Sequence, residues 1–110
     1  MEKNGIRKGY NMADIMRGSD IPFVLKNLPV GATIKRLDFA QNDEIIVTKF
    51  ADDFVQDGDN YIALITQAEA LRFNDKRVIE IQFCYMLNGH AKRTRIAKAT
   101  PDKILYEGEI

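Results

Sequence analysis

The chain has one cysteine and one histidine in 110 residues, so the usual alphabet of covalent and metal chemistry is nearly missing. No disulfide can close within it, and no zinc cluster or Cys/His pair stands at a recognisable spacing. It also lacks an excess of either charge, since sixteen Lys plus Arg balance sixteen Asp plus Glu. That balance argues against a protein whose main task is to coat nucleic acid or an anionic membrane. No run approaches the roughly 18 consecutive apolar residues that cross a bilayer. The opening MEKNGIRKGYNMADIM has no continuous apolar stretch behind its charges and does not read as a secretory signal. Cys84, alone inside an apolar run, reads as a small buried hydrophobe in a protein made in a cytoplasm.

What is there is ordinary globular material, 45% hydrophobic and 29% charged, at a length that suits one domain. Residues 1–16 mix glycine, asparagine and charge without a clear period and read as an N-terminal arm. Within it, Met12 to Met16 offers at most one helical turn. The domain proper takes residues 17–110.

From Ile21 onward the pattern is β. Ile21, Phe23 and Leu25 alternate with Pro22 and Val24, and a proline that cannot donate to a ladder puts this strand on an edge. Ile34 to Gln41 and Glu44 to Phe50 read as a hairpin about Asn42-Asp43, residues that tolerate left-handed backbone angles. In the second of these strands Ile45, Val47 and Lys49 are expected on one face, and Ile46, Thr48 and Phe50 on the other. Residues 51–60 read as an acidic connector ending in turn chemistry, before a strand from Tyr61 to Ile65. Thr66-Gln67-Ala68-Glu69 has the spacing of a capping box and predicts a helix of one or two turns. Val78 to Leu87 is the longest strand, with Ile79, Ile81, Phe83, Tyr85 and Leu87 expected toward the core. Asn88-Gly89 then predicts a type I′ hairpin and a return strand from His90 to Ala99. A closing element follows over Ile104, Leu105 and Tyr106. About six strands, frequent turns and one short helix describe an all-β fold, an antiparallel β-sandwich or flattened barrel.

Little in this pattern suggests chemistry. Asp57-Gly58-Asp59-Asn60 resembles the start of a calcium loop but lacks the bidentate glutamate, and reads better as a solvated turn. His90 follows a hairpin turn with no nucleophile or orienting carboxylate nominated beside it. No phosphate-binding glycine loop or nucleophile elbow is present. A non-enzyme with no cofactor and no bound metal is expected. The aromatics Phe39, Phe50, Phe54, Phe73, Phe83 and Tyr85 sit mostly at alternating positions and read as core; Tyr10, Tyr61 and Tyr106 are better contact residues. The remaining feature is Lys92-Arg93-Thr94-Arg95-Ile96-Ala97-Lys98. Strand alternation puts Lys92, Thr94, Ile96 and Lys98 on one face, with Arg93 and Arg95 on the other. Glu80 and Gln82 on the preceding strand are expected to pair with these basic groups across the ladder. The same residues suit an acidic protein partner, or a nucleic-acid groove entered by a β-ribbon.

At Arg17-Gly18-Ser19-Asp20, followed by Phe23-Val24-Leu25, the sequence resembles a group of small structural proteins of tailed bacteriophages of Gram-positive hosts. The likeness continues through Phe39-Ala40-Gln41-Asn42-Asp43, through Leu64-Ile65-Thr66-Gln67-Ala68-Glu69-Ala70-Leu71-Arg72-Phe73 with Ile65 as an extra residue, and through Ile81-Gln82 before a glycine hairpin. It covers residues 16–110 and is one of pattern. It implies a compact β-sandwich like those at the start of baseplate and fibre proteins, non-catalytic, attaching an element to the virion or tail. It further implies a homo-oligomer or binding to other virion proteins, in the virion or the host cytoplasm, with no membrane partner. A small neutral sandwich with exposed edges suits assembly by strand addition. Candidate partner-binding residues are Lys92, Arg93, Arg95, Lys98, Tyr10 and Arg17. Two other readings stay open: a nucleic-acid-binding β-ribbon, and a small inhibitor of a host protein that docks through the 52–59 connector.

Overall fold

The computed structural model describes residues 15–16, 19–102 and 108–110; Tyr10, Arg17, Tyr106 and nearly all of the arm lie outside the described residues. Among the described residues ten strands occur in chain order: β1 (Ile15–Met16), β2 (Ile21–Leu25), β3 (Thr33–Gln41), β4 (Glu44–Phe50), β5 (Phe54–Asp57), β6 (Asn60–Ile65), β7 (Ile79–Leu87), β8 (His90–Arg93), β9 (Ala97–Ala99) and β10 (Pro101–Asp102). An α-helical turn, α1 (Gln67–Ala70), lies between β6 and β7. Ile15–Met16 is extended and pairs in parallel with Pro101–Asp102, so the helical turn expected at Met12–Met16 does not form at its last two residues.

Two antiparallel sheets face each other. One has the order β2-β6-β5; the other has the order β4-β3-β7-β8, with β9 continuing along β7 beyond β8. Each sheet turns an apolar face inward. Phe23, Leu25, Ile65 and Ala63 meet Ile34, Leu37, Phe39, Val47, Ile79, Ile81, Phe83 and Ala99 there. Phe39 stands edge-on to Phe23 at 5.1 Å between ring centroids and to Phe73 at 6.2 Å. Full burial of each such ring contributes about 2–3 kcal/mol, and each edge-to-face pair about 0.5–1.5 kcal/mol more.

The acidic connector of the sequence reading holds a strand. Ala51–Asp53 makes a 3₁₀ turn, and Phe54–Asp57 then pairs with Asn60–Ile65 through a tight turn at Gly58, whose φ is +61°. Composition hid this strand because it is an edge whose Val55, Gln56 and Asp57 face solvent. Three bulges also depart from simple alternation. Lys35 is extra between Ile34 and Arg36, so Ile34 and Leu37 both point inward. Ile46 is extra on β4, which leaves Val47 and Lys49 inside as expected but turns Ile45 outward, 55% exposed. The return strand is broken between Arg93 and Ala97, where residues 94–96 oppose Gln82 and Phe83.

Further positions differ from their expected burial. Phe50 is exposed and Phe54 half-buried, because they flank the crossing from one sheet to the other. Cys84 is half-exposed on the outer face of the larger sheet, not buried. Tyr85 and Leu87, the far end of the inward row on β7, are half-buried where they run past the core.

The hairpin turns match their chemistry. Asn42, Asp43, Asn88 and Gly89 all have positive φ, the requirement of a type I′ turn. The capping box forms in full: Thr66 Oγ1 accepts from the Glu69 amide at 3.2 Å, and Glu69 Oε1 accepts from the Thr66 amide at 3.0 Å. Beyond α1, residues 71–78 close one end of the sandwich, with Ala70 and Phe73 buried beneath. This loop is held from β3. Buried Gln41 donates to the carbonyls of Asn74 (2.8 Å) and Arg77 (2.9 Å), and accepts from the Asn74 amide (2.8 Å).

Candidate interaction surfaces

The bulge in the return strand decides where the basic residues go. Residues directly opposite in a ladder share a face. Lys92 opposes Tyr85 and so lies on the core side of the sheet, at its exposed end; Arg93 opposes Cys84 and lies on the outer face. Past the extra residue, Lys98 opposes Glu80 on the outer face with Arg93, while Arg95 lies within the bulge. The shared face expected for Lys92 and Lys98 therefore does not form. All four side chains are exposed.

The cross-strand pairing expected from Glu80 and Gln82 also differs. Glu80 faces Lys98 in register without an ion pair, and Gln82 donates to the Thr94 carbonyl at 3.0 Å. Thr94 holds the bulge in place. Its hydroxyl accepts from the Phe83 amide at 3.0 Å, while its own amide donates to the Phe83 carbonyl at 2.9 Å.

Two charged clusters that the sequence reading passed over are structural. On the outer face, Arg36 Nη2 meets Asp38 at 2.8 Å, and Asp38 also accepts from the Thr48 hydroxyl at 2.6 Å. The hydrogen bond to Asp38, aided by its charge, raises the Arg36 pKa, so the guanidinium stays charged. On the inner face, buried Lys49 donates to Glu69 at 2.7 Å. Partial burial pushes the Glu69 carboxyl up. The hydrogen bonds from Lys49 and from the Thr66 amide outweigh that and hold it below the ordinary carboxylate value. The pair ties β4 to α1 and uses both charges. Among the described residues, no group of three or more His, Cys, Asp or Glu side chains stands close enough to hold a metal ion, and no helix is long and apolar enough to cross a membrane. His90, at the start of β8, is exposed.

The smaller sheet has the most unusual surface. In its ladders Pro22 opposes Leu64, Val24 opposes Ile62, and Ile62 opposes Val55. These five apolar residues share the outward side of β2, β6 and β5 with Asn60 and Asp57, which pair at its end. Leu64 is 48% and Val55 69% exposed. The inward row, Phe23, Leu25, Ala63 and Ile65, is apolar too, so this sheet carries apolar rows on both faces; on the outer one Pro22, Val55 and Leu64 are exposed and Val24 and Ile62 half-buried. The signal was present in the sequence as the unbroken runs Ile21–Leu25 and Tyr61–Ile65, which lack the polar alternation of a strand with one wet side. Beside it, Asn27 to Ala32 and Gln56, Asp59 and Tyr61 line an open groove of about 410 Å³. Tyr61 is half-buried there and packs against the core.

Compared with the known protein families and with curated protein sequences, the chain matches none.

Proposed function

We propose that this chain is a non-catalytic structural or accessory protein of a tailed bacteriophage, an assembly module working as a multimer in or on the virion or tail. The observation that carries the assembly part is the apolar row on the outer face of the β2-β6-β5 sheet, where Pro22, Val55 and Leu64 are exposed beside half-buried Val24 and Ile62. Large apolar rows on both sides of one sheet are what a chain needs when a partner supplies the second cover. The phage part rests on the sequence resemblance over residues 16–110.

The size of this face constrains how it works. Three strands at about 4.8 Å spacing and five residues at about 3.3 Å each span roughly 240 Å². A stable interface takes about 800 Å² from each partner. One such contact is therefore weak, and assembly depends on several contacts acting together in a multimer. Light scattering on the purified protein, across a concentration series, is expected to show a discrete species larger than a dimer. Leu64→Glu, which leaves the buried row untouched, is expected to shift that species toward monomer. A wild-type protein that stays monomeric at high concentration refutes the assembly reading. Normal infectious particles made without the protein refute its place in a phage.

A further inference from the structure

The four sheet edges are not alike. The β2 edge carries Pro22, which has no N–H to offer a new strand. The β4 edge is bent by the bulge at Ile46, a feature that discourages edge-to-edge pairing. The remaining two, β5 and β8, are each four residues long and end their sheets in the order of the described strands. They lie on opposite sides of the sandwich. β5 follows β4 after a three-residue turn and so sits over the β4 side of the larger sheet. β2, at the far edge of the smaller sheet, packs its Phe23 and Leu25 over Leu37 and Phe39 of β3, over Ile81 and Phe83 of β7 and as far as Thr94 beyond β8, and so reaches toward the β8 side.

These two open edges have opposite charge. β5 is bracketed by Asp52 and Asp53 before it and by Asp57 and Asp59 at its end; β8 carries Lys92 and Arg93, with Arg95 next in the bulge. All seven side chains are exposed, and none forms an ion pair among the described residues. The formal charge of zero thus conceals one acidic edge and one basic edge. Charge on an edge strand repels a like-charged strand, so a two-fold contact of β5 with β5, or of β8 with β8, is opposed. A contact of β5 with β8 places carboxylates against ammonium and guanidinium groups and completes both rows of backbone hydrogen bonds.

Building on the assembly reading above, we infer that copies of this chain join head to tail, the acidic β5 edge of one adding to the basic β8 edge of the next. Such a contact uses two different surfaces, so it closes into a ring where the rotation permits and otherwise continues as a filament. It also supplies the second contact that the small apolar face requires.

Two triple variants test this. Asp52→Lys with Asp57→Lys and Asp59→Lys makes both open edges basic; Lys92→Glu with Arg93→Glu and Arg95→Glu makes both acidic. Every substituted residue is exposed, and a circular dichroism spectrum like that of the wild type with a cooperative melt establishes that each variant folds. The expected result by light scattering is assembled wild type, loss of that species in each variant alone, and its return when the two variants are mixed in equal amounts. The mixture restores attraction at every junction because the reversed edges complement each other. Assembly of the wild type is also expected to weaken as salt rises. If the wild type assembles and both variants do so equally well, the edge pairing is overturned while the assembly reading stands. If the wild type never assembles, both fall. If the wild type retains nucleic acid and the Lys92→Glu/Arg93→Glu/Arg95→Glu variant releases it without a change in oligomer, the basic edge is a nucleic-acid surface and the pairing is overturned.

Discussion

Replacing Gln41 by methionine removes three hydrogen bonds while nearly conserving side-chain volume. The amide donates to the carbonyls of Asn74 and Arg77 and accepts from the Asn74 N–H, all between 2.8 and 2.9 Å, from a side chain only 5% exposed. Each such bond is worth about 1 kcal/mol net. Asn74 and Arg77 are exposed residues, so water can recover part of the loss on the loop side. The expected destabilisation is about 2–3 kcal/mol, which for a domain of this size lowers the melting temperature by about 10–20 °C. Urea unfolding with an unchanged slope separates this from a change in compactness. Gln41→Glu gives a second, independent reading. Its carboxylate faces two carbonyl oxygens, which disfavours the charged form and raises its folded pKa above the unfolded value of about 4.3. The folded state then binds more protons than the unfolded one, so the deficit relative to wild type is greatest at neutral pH and shrinks as pH falls through the raised pKa. A loss under about 1 kcal/mol for Gln41→Met, or a pH-independent deficit for Gln41→Glu, refutes the idea that this amide holds the 71–78 loop. Packing of Phe73 would then be the cause.

The Lys49–Glu69 pair predicts an acid-side dependence of its own. The Glu69 carboxyl is held below its ordinary value of 4.5, so its contribution is fully present above that pH and is lost as pH falls through the lowered folded value. The stability difference between wild type and Lys49→Met is therefore expected to be constant near neutrality and to narrow below pH 4.5, as followed by urea unfolding at several pH values. Thr66→Ala removes the other half of the capping box and is expected to cost about 1 kcal/mol in the same assay. Gly89 has a φ of +78° with open space where a Cβ would go, so Gly89→Ala tests backbone strain without a clash. A loss of about 1 kcal/mol is expected, and an unchanged unfolding midpoint would contradict the positive-φ turn.

Much of this fold is written locally. The Asn42-Asp43 and Asn88-Gly89 turns, the Thr66–Glu69 capping box, the edge position of the Pro22 strand and the inward row Ile79, Ile81 and Phe83 all follow from side chains acting within a few residues of themselves. Backbone sterics and short-range hydrogen bonds need no distant partner, so sequence determines them. Three things were decided only by the assembled structure. The strand Phe54–Asp57 exists because β6 offers it a ladder, although its own residues are acidic and solvent-facing. The faces of Ile45 and Lys98 depend on bulges, where one extra residue reverses the side chains beyond it and leaves no mark in composition. The separation of the charges onto two opposite edges depends on how the sheets stack, which joins residues forty positions apart in sequence or keeps them apart. Sequence determined a β-sandwich of zero formal charge with one cysteine and one histidine. Tertiary structure decided that its neutrality is divided between an acidic edge and a basic edge, because strand order, and not spacing along the chain, sets which side chains share a surface.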